Sequence, residues 1–279
     1  MTKAKRFSIY EINRDGKTTI SIIYDEIETQ ISTEEGSDLV KIERFRPTPE
    51  TSTQTGVIYS IASEFCEQFI KDGVLEAEVF QLDYVNVPIP KTLEKIHCDQ
   101  FKSSYLGYQR VLFWLQKVEG PVEILNIAEV DPVFGLGKME QVKMVEKELI
   151  LCSSDLTDED LEGLKTDYCT LVLNSDKITE KGVKRMMDNF LDGPMDPGNH
   201  FEIRFKPSTP EFDKNELFKY LMKAEITWKQ YFEFQITYTL NSGKILQYNG
   251  YYFIAPDGYH LVKIVVPKDW KPRIRDGME

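Results

Sequence analysis

His97 and Cys98 stand side by side, and a thiol next to an imidazole is the usual beginning of a nucleophilic centre. Neighbours in a strand point to opposite faces, however, so a pair at this spacing makes a poor dyad if the segment is extended. The remaining histidines, His200 and His260, lie next to or within stretches that read as strands and have no matched partner in sequence. The four cysteines, Cys66, Cys98, Cys152 and Cys169, are widely spaced and contain no Cys-x-x-Cys. They read as reduced, mostly buried thiols, and no metal site is expected from them or from the three histidines.

Two other segments have the composition of binding loops. The acid run Asp155-Leu-Thr-Asp158-Glu159-Asp160-Leu-Glu162 lacks the alternating carboxylates, the glycine and the closing glutamate of a calcium loop. It reads instead as the negatively charged first turn of a helix. Gly135-Leu136-Gly137-Lys138 lacks the spacing of a phosphate-binding loop, and Met139 follows the lysine where a hydroxyl residue belongs. The aromatic cluster Tyr248, Tyr251, Tyr252 and Phe253 has no interleaved cations for stacking on nucleic acid, so packing accounts for it better. No catalytic residue, cofactor or metal ligand is assigned on these grounds.

The net charge of −12 disfavours a nucleic-acid or anionic-membrane surface. Hydrophobic residues make up 41% and charged residues 29%, a globular composition. No apolar run approaches the roughly 18 residues of a transmembrane helix. The basic start Met1-Thr2-Lys3-Ala4-Lys5-Arg6 is not followed by the apolar core of a signal peptide. A soluble, intracellular protein is expected, in the cytoplasm or the nucleus.

Hydrophobic spacing then gives the elements. Residues 7–12 and Thr18–Tyr24 flank the turn signal Asn13-Arg14-Asp15-Gly16 and predict an N-terminal hairpin. Leu39–Phe45 extends that sheet, and Pro47–Thr55 reads as a polar connector. Ile58, Ile61, Ala62, Phe65, Cys66 and Phe69 share one helical face, closed by Asp72-Gly73. Glu76–Tyr84 and Leu93–Cys98 read as strands, and Ser103–Val118 as a second helix.

An internal repeat follows. Leu149, Leu151, Leu156, Thr157, Leu161 and Leu164 recur 22 residues on as Leu171, Leu173, Ile178, Thr179, Val183 and Met186. A period in the twenties marks a strand-plus-helix solenoid unit. Thr157 and Thr179 are placed to cap their helices. Segments around Ile96, Leu125 and Phe201 read as further rungs of the same parallel sheet. Glu211–Lys223 reads as a helix, and Tyr231–Leu240, Ile245–Ile254 and Tyr259–Val266 as an antiparallel meander with turns at Asn241–Lys244 and Pro256–Gly258, followed by a loose tail from Pro267.

These motifs resemble a known family. The doubled Leu-x-Leu-x5-[Ile/Leu]-Thr unit resembles a cysteine-containing leucine-rich repeat. Leu171–Gly193, ending Asp188-Asn189-Phe190-Leu191-Asp192-Gly193, is similar to the nematode F-box-associated domains, and Thr92-Leu93-Glu94-Lys95-Ile96 to a signature of the related FTH domain. The Gly243-Lys244 turn fits their C-terminal ends, and the likeness spans residues 60 to 266. It implies the substrate-recognition part of an adaptor for a cullin-type ubiquitin ligase. The chain departs from the pattern at its start, where no Leu-Pro-bearing F-box helix pair precedes the first strand. This departure puts docking to the ligase core in question.

The expected fold is α/β: a short leucine-rich-repeat-like strand-helix stack with a parallel sheet, an N-terminal β-hairpin and a C-terminal antiparallel meander. The expected domains are 1–55, 56–210 and 211–279. In such a stack alternate side chains leave the core, so Thr170, Val172, Glu202 and Arg204 are expected to share an open sheet face that binds another protein. The expected partners are a target protein and cullin-ligase components, with no nucleic acid and no membrane. The alternatives are an enzyme, a hydrolase or transferase with a cleft between stack and meander, and a structural protein with no ligase link.

Overall fold

The computed structural model describes residues 3–45, 48–164, 166, 168–173, 177–192, 198–206, 224–228, 233–239, 244–254, 259–266 and 273–274. The chain divides into two compact units, Met1–Val133 and Phe134–Glu279. The dividing point lies inside the stretch 56–210. Its class is α/β, with strand-helix stacking on parallel strands, antiparallel hairpins at the N-terminal side and an antiparallel meander at the C-terminal side.

The first unit begins with five antiparallel strands: β1 (Ala4–Arg14), β2 (Lys17–Tyr24), β3 (Ile27–Glu34), β4 (Leu39–Arg44) and β5 (Glu50–Thr55). The hairpin turns at Asp15-Gly16, where both residues have positive φ, as a two-residue turn of this hand requires. The expected connector 47–55 contains β5. All six of its side chains are exposed, so it has no apolar face from which burial could be read, and only its backbone pairing with β4 makes it a strand. Helix α1 (Ile58–Glu67) then crosses over. It returns the chain to β6 (Val74–Asp83), which pairs parallel with β1.

Next come β7 (Lys95–Ser104), α2 (Tyr108–Leu115) and β8 (Val122–Val133), with β6, β7 and β8 parallel to one another. The second helix was expected from Ser103. Its first residues are instead the end of β7, because Ser103 is buried in the sheet and Tyr105 and Gly107 take positive φ before α2 can start. Phe7, Phe80 and Phe101 occupy one row across β1, β6 and β7, with successive ring centroids 5.3 and 5.6 Å apart and planes within 18°. Trp114 of α2 covers the row at 5.6 Å from Phe80. Each buried ring contributes roughly 1.5–3 kcal/mol through removal from water, and stacking of the three rings favours this register of the parallel strands.

The second unit contains a short 3₁₀ turn (Leu136–Lys138), α3 (Glu140–Lys143), β9 (Val145–Ser154), α4 (Asp158–Glu162), β10 (Tyr168–Leu173), α5 (Glu180–Asp192) and β11 (His200–Phe205). The two copies of the repeat stack in parallel, as expected, but not in the register of their alignment. Leu171 pairs with Leu151, 20 residues back instead of 22, and an irregularity then sets Leu173 against Ser154. A slip of two residues keeps every side chain on its original face, so the buried pattern cannot distinguish the two registers.

β11 pairs with β10 in parallel and with β15 (His260–Val265) in antiparallel. The meander continues through β14 (Lys244–Ile254) and β13 (Glu233–Thr239) to β12 (Ala224–Trp228), and β16 (Arg273–Ile274) joins β14. Thus β15 covers the edge of β11 that would otherwise be free. The expected helix 211–223, the turns 241–243 and 256–258, Gly193, and most of the tail from Pro267 lie outside the described residues. No described helix is long and apolar enough to cross a membrane.

Candidate interaction surface

Strict alternation builds the surface in the second unit. Cys169, Leu171 and Leu173 of β10 and Phe201, Ile203 and Phe205 of β11 are buried on one face. Phe190 of α5 packs there, 6.0 Å from Phe201. Tyr168, Thr170 and Val172 therefore emerge on the other face, with Glu202 and Arg204 beside them. Register pairs Thr170 with Glu202 and Val172 with Arg204, so the four expected residues form two adjacent rows. All four are half-buried.

Pairing with the flanking strands, parallel to β9 and antiparallel to β15, brings further residues to the same rows. Ile150 of β9 lies beside Thr170, and Lys263 of β15 lies beside Glu202, its Nζ 2.6 Å from Glu202 Oε2. Arg204 places its guanidinium 4.8 Å from the centre of the Tyr259 ring. His200 sits at one end of the face, in hydrogen-bond contact with Thr170 Oγ1 at 3.0 Å and edge-on to Tyr168, 3.6 Å between ring centres. Loss of solvent around His200, then the Lys263 ammonium, lower its pKa below the ordinary imidazole range, with Glu202 acting in the opposite direction. The neutral ring is thus favoured on this face. The surface combines two aliphatic side chains, Ile150 and Val172, with charges of both signs on Glu202, Arg204 and Lys263.

Sequence reading missed Lys263, His200, Tyr168 and Ile150 as members of this face. Tyr168 and Ile150 share the parity of Thr170 in the repeat, a signal present in the sequence. Lys263 could not be placed without knowing that β15 docks on β11 in antiparallel register.

The segments weighed for chemistry have structural tasks. Cys98 is buried, whereas His97 points the other way, 3.0 Å from Glu119 and 3.7 Å from Glu76. Burial pushes the Cys98 and Cys169 thiols up to about 12, and the Cys66 thiol higher still. The acid run opens α4: Thr157 and Asp160 form a reciprocal capping box at its N-terminus. Asp155 accepts from the Gly135 amide at 3.0 Å. Asp158 accepts from the Thr179 amide at 2.9 Å and its hydroxyl at 2.5 Å, tying one repeat to the start of the next. No group of three His, Cys, Asp or Glu residues suited to a metal ion occurs among the described residues.

In the first unit Glu11 is buried, and its carboxylate accepts four hydrogen bonds, from Tyr59 Oη, the Asn86 amide, Asn86 Nδ2 and Asn13 Nδ2, at 2.7–2.9 Å. It fastens the segment after β6 to the start of α1. A second feature of these strand ends is the pair Tyr84 and Tyr105, which leave β6 and β7 at equivalent points and remain exposed. A 21-residue repeat carries them: Phe80-x-x-x-Tyr84-Val85 becomes Phe101-x-x-x-Tyr105-Leu106. The repeat found downstream has a different period, and this one was not singled out.

No protein-family model, curated protein or solved structure matches the chain.

Proposed function

We propose that the chain is a non-catalytic protein-protein interaction module that holds a polypeptide against the open face of β9, β10, β11 and β15. The observation that carries this reading is the pairing of Thr170 with Glu202 and Val172 with Arg204, half-buried on the face of the strands opposite the one that packs against Phe190 of α5. Parallel strands are commonly covered on both faces, and stacks that leave one bare use it for protein binding. The buried, protonated thiols and the structural roles of the acid run lend the same reading support. The resemblance to nematode F-box-associated domains adds the biological setting: substrate recognition for a cullin-type ubiquitin ligase in the cell interior.

The test is affinity capture with the tagged full chain at native expression level, alongside Val172→Glu and Arg204→Glu variants shown to fold by circular dichroism. Recovery of cullin-ligase components together with a co-captured protein that both variants lose is the expected result. Recovery of no ligase component argues against the adaptor role. Capture equal in wild type and variants removes the face from the proposal.

A further inference from the structure

In the first unit the parallel strands β6 and β7 end in matching residues. Asp83 pairs with Ser104 in register, and the next residues are Tyr84 and Tyr105. Their rings lie 4.4 Å apart and 6° from parallel, and both side chains face solvent. Both have left-handed backbone, at φ 56° and 57°, a conformation that large side chains rarely take. In open α/β sheets the carboxyl ends of parallel strands are where ligands bind. Two exposed aromatic residues held there in strained backbone form a platform that packing alone does not call for.

The surroundings select the ligand. Asp83 lies directly before Tyr84 and accepts hydrogen bonds from Ser104 Oγ and, at 2.8 Å, from Gln81 Nε2. Partial loss of solvent, then the ring partner and Asp83, hold the Tyr84 hydroxyl protonated above its ordinary range. Of the cations at this end of the sheet, Arg110 is directed to the Val85 carbonyl at 3.4 Å and to Asn86 Oδ1, and Arg6 to Gln81 Oε1 at 3.3 Å. The chain as a whole carries −12. Phosphate-bearing bases are repelled by such a field, and a planar cation is drawn to an aromatic face within it.

We propose that the Tyr84–Tyr105 stack is a binding platform for an arginine side chain of a basic peptide, the guanidinium lying on the outer ring face with the Asp83 carboxylate as its charge partner. This site belongs to the first unit and does not rest on the reading given to the face of the second.

The full-length protein is titrated by NMR with the capped peptide Gly-Arg-Gly-Arg-Gly, with its lysine counterpart, with a capped proline-rich peptide and with adenosine monophosphate. Ring-current shifts of the arginine Hδ protons report stacking directly. The arginine peptide is expected to bind most tightly of the four. The double variant Tyr84→Asn/Tyr105→Asn, whose residues tolerate left-handed backbone, should weaken it roughly five- to tenfold and abolish the Hδ shifts. Tyr84→Phe/Tyr105→Phe should bind it within about twofold of wild type, because the ring face is kept. Amide spectra of each variant establish that the fold is retained. Equal binding of the lysine peptide, unchanged Hδ shifts in the asparagine variant, no binding of the arginine peptide, or preferential binding of the proline-rich peptide or the nucleotide each overturns the proposal.

Discussion

Tyr84 and Tyr105 stack face to face at 4.4 Å on adjacent parallel strand ends, each in left-handed backbone. The conformation costs about 1–2 kcal/mol per residue, while an aromatic pair returns about 0.5–1.5 kcal/mol. The stack therefore does not offset its own strain. Replacing either tyrosine with glycine removes the strain, loses the contact and adds about 0.5–1 kcal/mol of unfolded-chain entropy. Tyr84→Gly and Tyr105→Gly are each expected within about 1 kcal/mol of wild type in urea unfolding. A loss above about 3 kcal/mol would make the pair a structural element.

Asp158 and Gly182 form a second coupled pair. A Cβ on Gly182 would run into the Asp158 carboxylate, which two bonds from Thr179 hold in place. Gly182→Ala should destabilise the protein by about 1–3 kcal/mol, although alanine favours a helix by about 1 kcal/mol at exposed sites. In an Asp158→Ala background the added cost should shrink. A double-mutant cycle in urea measures the coupling, and additive effects would disprove the contact.

Removing the Glu11 carboxylate leaves four donors without their acceptor at the junction of β1, α1 and the segment after β6. Glu11→Ala should cost about 2–4 kcal/mol. Glu11→Gln should cost less but still lose stability, because its amide group faces the Asn86 N–H with a donor. Chemical denaturation of the two variants gives the order.

His200 sets an acid-side dependence. Its folded pKa is lowered, chiefly by loss of solvent and secondarily by Lys263, so below the ordinary value of 6.5 the unfolded chain binds the proton more readily. Its contribution to stability is full above that value and is lost as pH falls through the folded pKa. Urea midpoints should drop between pH 7 and pH 5.5, and the drop should be smaller in His200→Gln. An identical pH profile in that variant would exclude the histidine as its source.

The thiols should differ in reactivity. Cys152 is half-buried, whereas Cys66, Cys98 and Cys169 are buried, with thiols pushed strongly upward. A maleimide or disulfide reagent should modify Cys152 first in the folded protein and the other three only on unfolding. Peptide mapping after a short exposure checks the order, and early labelling of Cys98 would contradict the packing of β7.

Local spacing determined the elements whose burial is periodic. Helical spacing from Ile58 to Phe69 located α1, and the alternation in Leu171–Leu173 and Phe201–Phe205 located β10, β11 and the two faces they present. The same alternation put Thr170 and Val172 on one side of β10, and Glu202 and Arg204 on one side of β11, because inward and outward positions follow from the pleat alone. Strand β5 escaped notice because all its side chains are solvent-facing, and Ser103–Tyr105 was read as helix because left-handed backbone at tyrosine leaves no sequence signature.

What only the tertiary structure decided is who stands beside whom. The two-residue slip between β9 and β10, the docking of β15 that delivers Lys263 to Glu202, and the stacking of Tyr84 on Tyr105 all depend on pairings between segments distant in sequence. The side-chain pattern repeats every two residues, so it fixes the face of a strand and leaves its neighbour and register to be chosen by packing between strands.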